Sequence, residues 1–269
     1  MKRNDDPKEM TVIDPAFLAE HAASDESLQD LKKDVIVPYL KITQAMTSDE
    51  LKDKVGGDGV ACIPSAQAII AKKGEPFLFV PLFFFKEFCK WKDLKDKEGS
   101  AILERTFDPT SDLAKRAQDK LLRKEKYEHH DDWYFRYVEH LNYVGVIYKH
   151  ESFGTAPLVI GFSRGSHGTG RSFATAISMR KIRNEEQVFT PPLWSQVWEM
   201  KVEKRTNQNS QSWWGLGFGN PNVSYIEQEE APLFKQAHLD HKKLFQENRL
   251  KVEVDEEEAS TTNDEDAEL

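Results

Sequence analysis

The sequence has few of the features that assign a protein to a secreted, membrane or zinc-binding class. It contains only two cysteines, Cys62 and Cys89, which lie far apart in apolar surroundings. A disulfide framework and a cysteine zinc site are therefore excluded, and both thiols are expected to stay reduced in the core. An apolar run at 77–85 is too short to cross a bilayer, and the N-terminus lacks a signal-peptide pattern. These absences predict a soluble, unexported, cytoplasmic protein.

Catalytic and metal-binding motifs are also scarce. The eight histidines form no metal signature, because the pair at 129–130 and the pair at 238 and 241 lack further ligands at recognisable spacing. The sequence has no G-x-S-x-G elbow, no paired-carboxylate motif and no Cys/His arrangement suited to nucleophilic catalysis. We therefore expect a protein that is not an enzyme and that needs no metal or other cofactor.

Positive charge is missing from the C-terminal end. Residues 252–269 hold nine carboxylates and no Lys or Arg, and these nine match the net charge of −9 of the whole chain. Such a segment is expected to be a disordered polyanion, because like charges repel and little apolar surface can be buried. It follows a mildly basic body, since 35–251 carry 32 Lys and Arg against 28 Asp and Glu. This layout is typical of a nucleic-acid-binding protein, although a tail that only aids solubility also explains it.

The composition predicts three segments. Residues 1–34 form an acidic, flexible N-terminal arm, 35–250 form one domain, and 251–269 form the disordered acidic tail. Strands are predicted at 35–42, 76–92, 157–163, 194–205 and 213–218, and at 133–150 as two halves around a bulge or turn near Asn142. Helices are predicted at 111–126, 172–183 and 232–245.

This order of elements predicts a fold that is mainly β with added helices. A helix between the third and fourth strands, followed by a hairpin, indicates an OB-fold-like Greek-key barrel elaborated by insertions. A doubly wound parallel sheet fits poorly, because it needs a helix after nearly every strand.

A glycine loop at 165–170 offers an alternative function. Residues 165–172 read GSHGTGRS, which is one residue from a Walker A phosphate loop, with Arg171 where the lysine would stand. A nucleotide-hydrolysing enzyme that uses this loop is therefore one alternative. A milder interpretation is that backbone N–H groups of the loop, with Arg164 and Arg171, hold one phosphate of a polynucleotide. A plain turn is the third interpretation.

Aromatic and basic residues alternate at 83–92, 133–149 and 194–214, the combination that binds single-stranded nucleic acid. In the first segment one face carries two phenylalanines and two lysines and is the predicted binding face, while the opposite, apolar face is the predicted core. Burial in the core is the alternative for any single aromatic. The predicted stacking residues are Phe84, Phe88, Tyr134, Tyr148 and Trp214. The predicted phosphate contacts are Lys86, Lys90, Lys92, Arg136, Lys149, Arg164, Arg171, Lys201 and Arg205.

Several stretches resemble the single-stranded DNA-binding proteins of tailed-bacteriophage replication modules. They are VPYLKITQAMT at 37–47, FVPLFFFKEFCKW at 79–91, RTFDP at 105–109, PLVIGFSRGSHGTGRSFATAI at 157–177 and PPLWSQVWEMKVEK at 191–204. The resemblance implies an OB-fold core that binds single-stranded DNA without sequence preference, in phage DNA replication, recombination and repair in the host cytoplasm.

The same resemblance implies that the acidic tail binds phage or host replication proteins, such as a polymerase or primase-helicase, and competes for the DNA groove. The tail residues implied for these contacts are Asp255, Glu256, Glu257, Glu258, Asp264, Glu265 and Asp266. The chain departs from several such proteins by ending in Glu268 and Leu269 instead of an aromatic residue. A phage structural or host-takeover protein whose aromatic face binds protein is a further alternative, and homo-oligomerisation is left open.

Overall fold

The computed structural model describes residues 36–94, 100–122, 127–130, 133–150, 156–206, 210, 212–222 and 224–252. The predicted N-terminal arm at 1–34 and the tail carboxylates from residue 253 onward lie outside these residues.

The described part of the chain is mainly β with added helices, as predicted. The helices are α1 (Asp49–Val55), α2 (Asp112–Leu122), α3 (His167–Met179) and α4 (Ala231–Gln246). The strands are β1 (Ile36–Val37), β2 (Lys41–Ile42), β3 (Ala61–Ile63), β4 (Ala68–Ala71), β5 (Pro76–Leu94), β6 (Ser100–Thr106), β7 (Tyr127–His129), β8 (Trp133–Ile147), β9 (Pro157–Phe162), β10 (Ile182–Arg183), β11 (Val188–Phe189), β12 (Trp198–Thr206), β13 (Ser212–Gly219) and β14 (Lys251–Val252).

A seven-stranded sheet dominates the fold. Its order is β13-β12-β5-β8-β7, with β6 also paired to β5 and β9 also paired to β8. The long antiparallel pair of β5 and β8 forms its spine, and the aromatic and β-branched residues of both strands favour this extended conformation. A register shift between Pro81 and Phe83 accommodates the proline, which has no N–H for the ladder. Among the described strands this sheet is open, so the predicted OB-like barrel is not closed.

Helices cover both faces of the sheet. We call the side of Phe88 and Tyr143 the front face and the side of Phe85 and Asn142 the back face. On the front, α3 packs its Phe173 against Tyr143 at 4.9 Å between ring centroids, and α2 covers Phe88. On the back, α4 contributes aromatic contacts to Phe85 and its neighbours. Alternate residues of β5 therefore enter two different cores.

The turn or bulge predicted near Asn142 is absent from β8, which runs straight through that position. Asn142 is buried, and its side-chain N–H donates to the carboxylate of Glu87 on β5 at 3.3 Å. Gly145 leaves room for Phe79, because an added Cβ would lie 2.3 Å from that ring. Asn142 and Gly145 thus make contacts with the neighbouring strand β5, and β8 remains one continuous strand.

Smaller sheets complete the fold. Strands β2, β3 and β4 form an antiparallel sheet, β10 and β11 form a hairpin, and β14 pairs in parallel with β1. Strand β14 contains Lys251 and Val252, the first two residues of the predicted tail. The predicted hairpin near residues 207–212 corresponds to β12 and β13, which pair antiparallel. No helix in the described residues is long and apolar enough to cross a membrane.

Candidate nucleic-acid interface

Aromatic and basic side chains alternate on the front face at the far end of the β5–β8 pair. The ammonium nitrogen of Lys90 lies 3.8 Å from the centroid of the Phe135 ring, and that of Lys92 lies 5.6 Å from the Trp133 ring. His130 stacks on Trp133, with centroids 3.6 Å apart and planes inclined by 22°. We call Lys90, Lys92, His130, Trp133 and Phe135 the aromatic–basic strip.

The strip faces solvent in part. His130 is exposed and the other four residues are half-buried. Cation–π attraction of about 0.5–1 kcal/mol per pair holds the two ammonium groups against the rings. The surface therefore combines partly exposed aromatic rings with cations, the two kinds of side chain that many single-strand-binding proteins use.

Tyr137 fixes the inner edge of the strip. Its hydroxyl accepts a hydrogen bond from Arg116 of α2 at 2.8 Å and donates to Glu128 at 3.1 Å. Burial, together with the bond to Glu128, raises the pKa of Tyr137, so the hydroxyl remains protonated at neutral pH. The Arg116 side chain is 61% exposed and forms an ion pair with Glu128 at 3.7 Å.

A buried charge network lies between α2 and α3 on the same face. The carboxylate of Glu139, which is 6% exposed, accepts from Lys86 at 2.7 Å and from His167 at 2.9 Å. Lys86 was predicted as a phosphate contact, and here it is engaged by a carboxylate within the protein. Its first role in the structure is therefore to compensate the buried charge of Glu139.

Two predicted stacking residues lie in the core. Phe88 is fully buried under α2, and Tyr148 is 4% exposed and hydrogen-bonded to Glu230 at 2.5 Å. Neither presents a ring to a base, because α2 and the segment around α4 cover the sheet at these positions. Because these helices cover parts of both faces of the sheet, the alternation of residues along β5 does not separate a solvent-exposed face from a core face.

The other three predicted stacking residues are half-buried and lie apart. Phe84 packs on Tyr143 at 4.9 Å, and Trp214 packs against the same core with Gly59 beneath its ring. Tyr134 lies on the back face, since it shares that side of β8 with Asn142. These rings do not join the aromatic–basic strip.

The predicted phosphate contacts are scattered over the molecule. Lys90 and Lys92 belong to the strip, whereas Lys149 forms an ion pair with Glu227. Arg205 bonds to Thr169 and to the carbonyl of Leu216. The remaining positions are Arg136 and Arg164 on the back face, Arg171 on α3 and Lys201 on β12.

Comparison with known proteins identifies the family of this chain. The family described as Pam3 phage gp34-like protein matches residues 8–249. The chain belongs to the Pam3 phage gp34-like family. This membership indicates a phage protein, and the family description states no activity. No curated protein and no solved structure matches the chain.

The glycine-rich segment of this gp34-like protein is largely helical. Helix α3 begins at His167, so Gly168 and Gly170 lie inside the helix and not in a loop before it. A phosphate loop holds its ligand with backbone N–H groups of several successive loop residues that precede a helix, whereas Gly168 and Gly170 belong to the first turn of α3 itself. The prediction of a loop at 165–170 is therefore wrong, because Arg164–Ser166 forms a short 3-10 helix and α3 follows it directly. The nucleotide-hydrolysing alternative stays a prediction.

Gly170 serves close packing of α3 on the sheet. An added Cβ would lie 2.6 Å from Cβ of Phe162, whereas one added at Gly168 would meet nothing within 4 Å. Gly170→Ala is expected to lower the free energy of unfolding by about 1–3 kcal/mol through overpacking. Gly168→Ala should raise it by about 0.5–1 kcal/mol, because alanine favours a helix. Urea denaturation of both variants checks this, and equal effects would contradict the packing role.

Sequence reasoning missed three members of the strip, His130, Trp133 and Phe135. The available signal was the alternation of Trp133 and Phe135 in β8, read together with the antiparallel pairing of β8 with β5, which sets Phe135 opposite Lys92. Among the described residues no group of three or more His, Cys, Asp or Glu could hold a metal. The tail residues predicted to contact partners lie outside the described part of the chain.

Proposed function

We propose that this gp34-like protein binds single-stranded nucleic acid through the aromatic–basic strip, without sequence preference, and acts in phage DNA replication and recombination. The observation that carries the proposal is the interleaving of Lys90 and Lys92 with Trp133 and Phe135 on one partly exposed face. Rings stack on any base because every base has a π-face, and lysines follow a backbone that is the same for all sequences. Such a surface favours unpaired strands, whose bases are accessible.

The acidic tail is part of the same proposal. Its nine carboxylates would compete weakly with a polynucleotide for the lysines of the strip and would bind basic surfaces of replication proteins. Competition of this kind is overcome by a long strand, which makes many phosphate contacts at once. The tail would therefore exclude weakly bound competitors from the strip more effectively than it excludes single-stranded DNA.

Trp133→Ala is expected to weaken binding of oligo(dT) about 5- to 150-fold, because loss of one stacking contact costs about 1–3 kcal/mol. The salt dependence of the affinity should change little, since no phosphate contact is removed. Fluorescence anisotropy of a labelled oligonucleotide at two salt concentrations measures both quantities.

Trp133→Phe is the matched control for this prediction. It keeps an aromatic face and should retain most of the affinity, while circular dichroism verifies that both variants remain folded. If Trp133→Ala binds oligo(dT) as tightly as the wild type, the strip is not the stacking surface.

A further inference from the structure

His130 covers both aromatic rings of the strip. Its imidazole is stacked on the Trp133 ring, with centroids 3.6 Å apart and planes inclined by 22°. It meets the Phe135 ring edge-on, at 5.5 Å between centroids and 69° between planes. One face of Trp133 is therefore already occupied by a ring of the protein itself, and a base that stacks on that face has to take the place of the imidazole.

The β7–β8 hairpin brings the two rings together. These strands pair antiparallel with His129 opposite Tyr134, and one step further along the backbone N–H of His130 donates to the carbonyl of Trp133 at 2.8 Å. His130 and Trp133 are thus direct cross-strand neighbours, and such side chains interact on one face of a sheet. Because the hydrogen bond joins the two backbones, the imidazole can leave by rotation of the His130 side chain alone.

The contacts of the imidazole are weak enough to exchange. The His130 side chain is 39% exposed, and its Nε2 lies 3.8 Å from a carboxylate oxygen of Glu128, which is longer than a hydrogen bond. Exposed side chains change rotamer within nanoseconds, so the rotation does not limit the rate of binding. The stack on Trp133 is therefore the main contact that a ligand has to replace.

The shape of the imidazole matches that of the proposed ligand. A nucleobase is a flat, nitrogen-containing aromatic ring, and the five-membered part of a purine is itself an imidazole. Both rings can stack on the face of an indole, and such stacking is tolerant of the base. An unpaired base can therefore occupy the same place on Trp133 and recover the stacking contact that His130 gives up.

We propose that His130 occupies the base-stacking position on Trp133 in the free protein and is displaced by an unpaired base of the bound strand. This inference rests on the proposed function and adds a residue that sets the affinity of the same site. Duplex DNA keeps its bases inside the stack, so it contacts the lysines without displacing the imidazole. His130 therefore lowers the affinity for single strands and leaves the affinity for duplex unchanged.

The test compares the full-length wild type, His130→Ala and His130→Phe in titrations of labelled oligo(dT) and duplex DNA by fluorescence anisotropy. His130→Ala should bind oligo(dT) about 2- to 10-fold more tightly, as for removal of one competing aromatic pair, and should bind duplex as the wild type does. His130→Phe keeps a ring on Trp133 and should bind oligo(dT) no more tightly than the wild type.

His129→Ala is the matched control. His129 is the neighbouring histidine and is also exposed, but its ring lies beside Tyr134, at 5.8 Å between centroids. Its removal should leave the affinity for both ligands unchanged. Circular dichroism verifies that all variants remain folded.

A second readout follows His130 itself by NMR. The ring current of Trp133 shifts the imidazole proton resonances in the free protein, and His130→Ala assigns them. Saturating oligo(dT) should move them to the values of an unstacked histidine, whereas duplex should not.

The possible failures separate this proposal from the proposed function. If the wild type binds oligo(dT) but His130→Ala binds it no more tightly, or if the imidazole resonances stay in place at saturation, the displacement proposal alone is overturned. A loss of affinity in His130→Ala that His130→Phe restores would instead make His130 part of the stacking surface. If neither the wild type nor His130→Ala binds oligo(dT), both proposals are overturned.

Discussion

Replacing Glu139 with alanine is expected to lower the free energy of unfolding by about 1–3 kcal/mol, the usual cost of leaving a buried polar group without its hydrogen-bond partner. The loss arises because His167, itself 6% exposed, would remain buried without the carboxylate that accepts its hydrogen bond. Lys86 is 41% exposed and can form hydrogen bonds with water instead, so the loss of its ion pair contributes less to the loss of stability. Urea denaturation at neutral pH measures the effect.

Glu203→Ala is the matched control, because Glu203 is an exposed carboxylate on β12 of the same sheet. Its removal should change the free energy of unfolding by less than about 0.5 kcal/mol. Equal losses for the two variants would show that the Glu139 network does not stabilise the fold.

The same network predicts a defined acid dependence. Burial alone would raise the pKa of Glu139, but the hydrogen bonds and charges of His167 and Lys86 outweigh it and lower the pKa to about 2, from 4.5. Because the folded value is the lower one, this stabilisation is present above the unfolded pKa and is lost as the pH falls through about 2. Glu139→Gln should flatten that part of the stability profile.

His140 is expected to make the protein sensitive to milder acid. Burial first, and the three neighbouring arginines second, lower its pKa to about 3 from 6.5. The unfolded chain therefore takes up a proton below pH 6.5 that the folded chain refuses, and stability falls as the pH drops from 6.5 toward 3. The full shift corresponds to about 5 kcal/mol, which is an upper limit because part of the His140 side chain is exposed.

The measurement compares urea denaturation at pH 7 and pH 5 for the wild type and His140→Gln. Between these two values the wild type should lose up to about 2 kcal/mol more than the variant. The other histidines and all carboxylates are common to both proteins, so the difference isolates His140. An identical pH dependence in the two proteins would contradict this prediction, because it would mean that His140 takes up its proton over the same pH range in the folded and the unfolded chain.

The strands could be predicted more reliably than the surfaces they form. Aromatic and β-branched residues identified β5, and the polar turn before residue 212 identified the hairpin of β12 and β13. Strand β8 was predicted in two halves around a bulge or turn near Asn142, because asparagine is common in turns. In the fold Asn142 forms a hydrogen bond with Glu87, and Gly145 leaves room for the ring of Phe79. Both partners lie on β5. Such partners cannot be recognised along a single strand.

The candidate site could be recognised only from the tertiary structure, for a related reason. Period-two alternation in β5 correctly places Phe88 and Lys90 on one face, but it does not show which part of that face a helix covers. Helix α2 buries Phe88 and leaves Lys90 on the surface beside Phe135. The contacts of Trp91 are harder still to predict, because Arg136 reaches its ring through the pairing of β8 with β5, and Arg164 lies beyond the end of β9.

The central claim is that this gp34-like protein binds single-stranded nucleic acid through the aromatic–basic strip. The most direct test is a titration of the wild type and of Lys90→Glu/Lys92→Glu with labelled oligo(dT) and with duplex DNA at two salt concentrations. Lys235→Glu/Lys242→Glu, on exposed positions of α4, carries the same change of charge as a control.

We expect the wild type and the control to bind oligo(dT) more tightly than duplex, with an affinity that falls as salt rises. In Lys90→Glu/Lys92→Glu the affinity should fall sharply, and the salt slope should become shallower by about 0.7 for each lost phosphate contact. If the wild type binds neither strand, or if the strip variant and the control lose affinity equally, the account is contradicted and a protein-binding role for the aromatic surface becomes the better explanation.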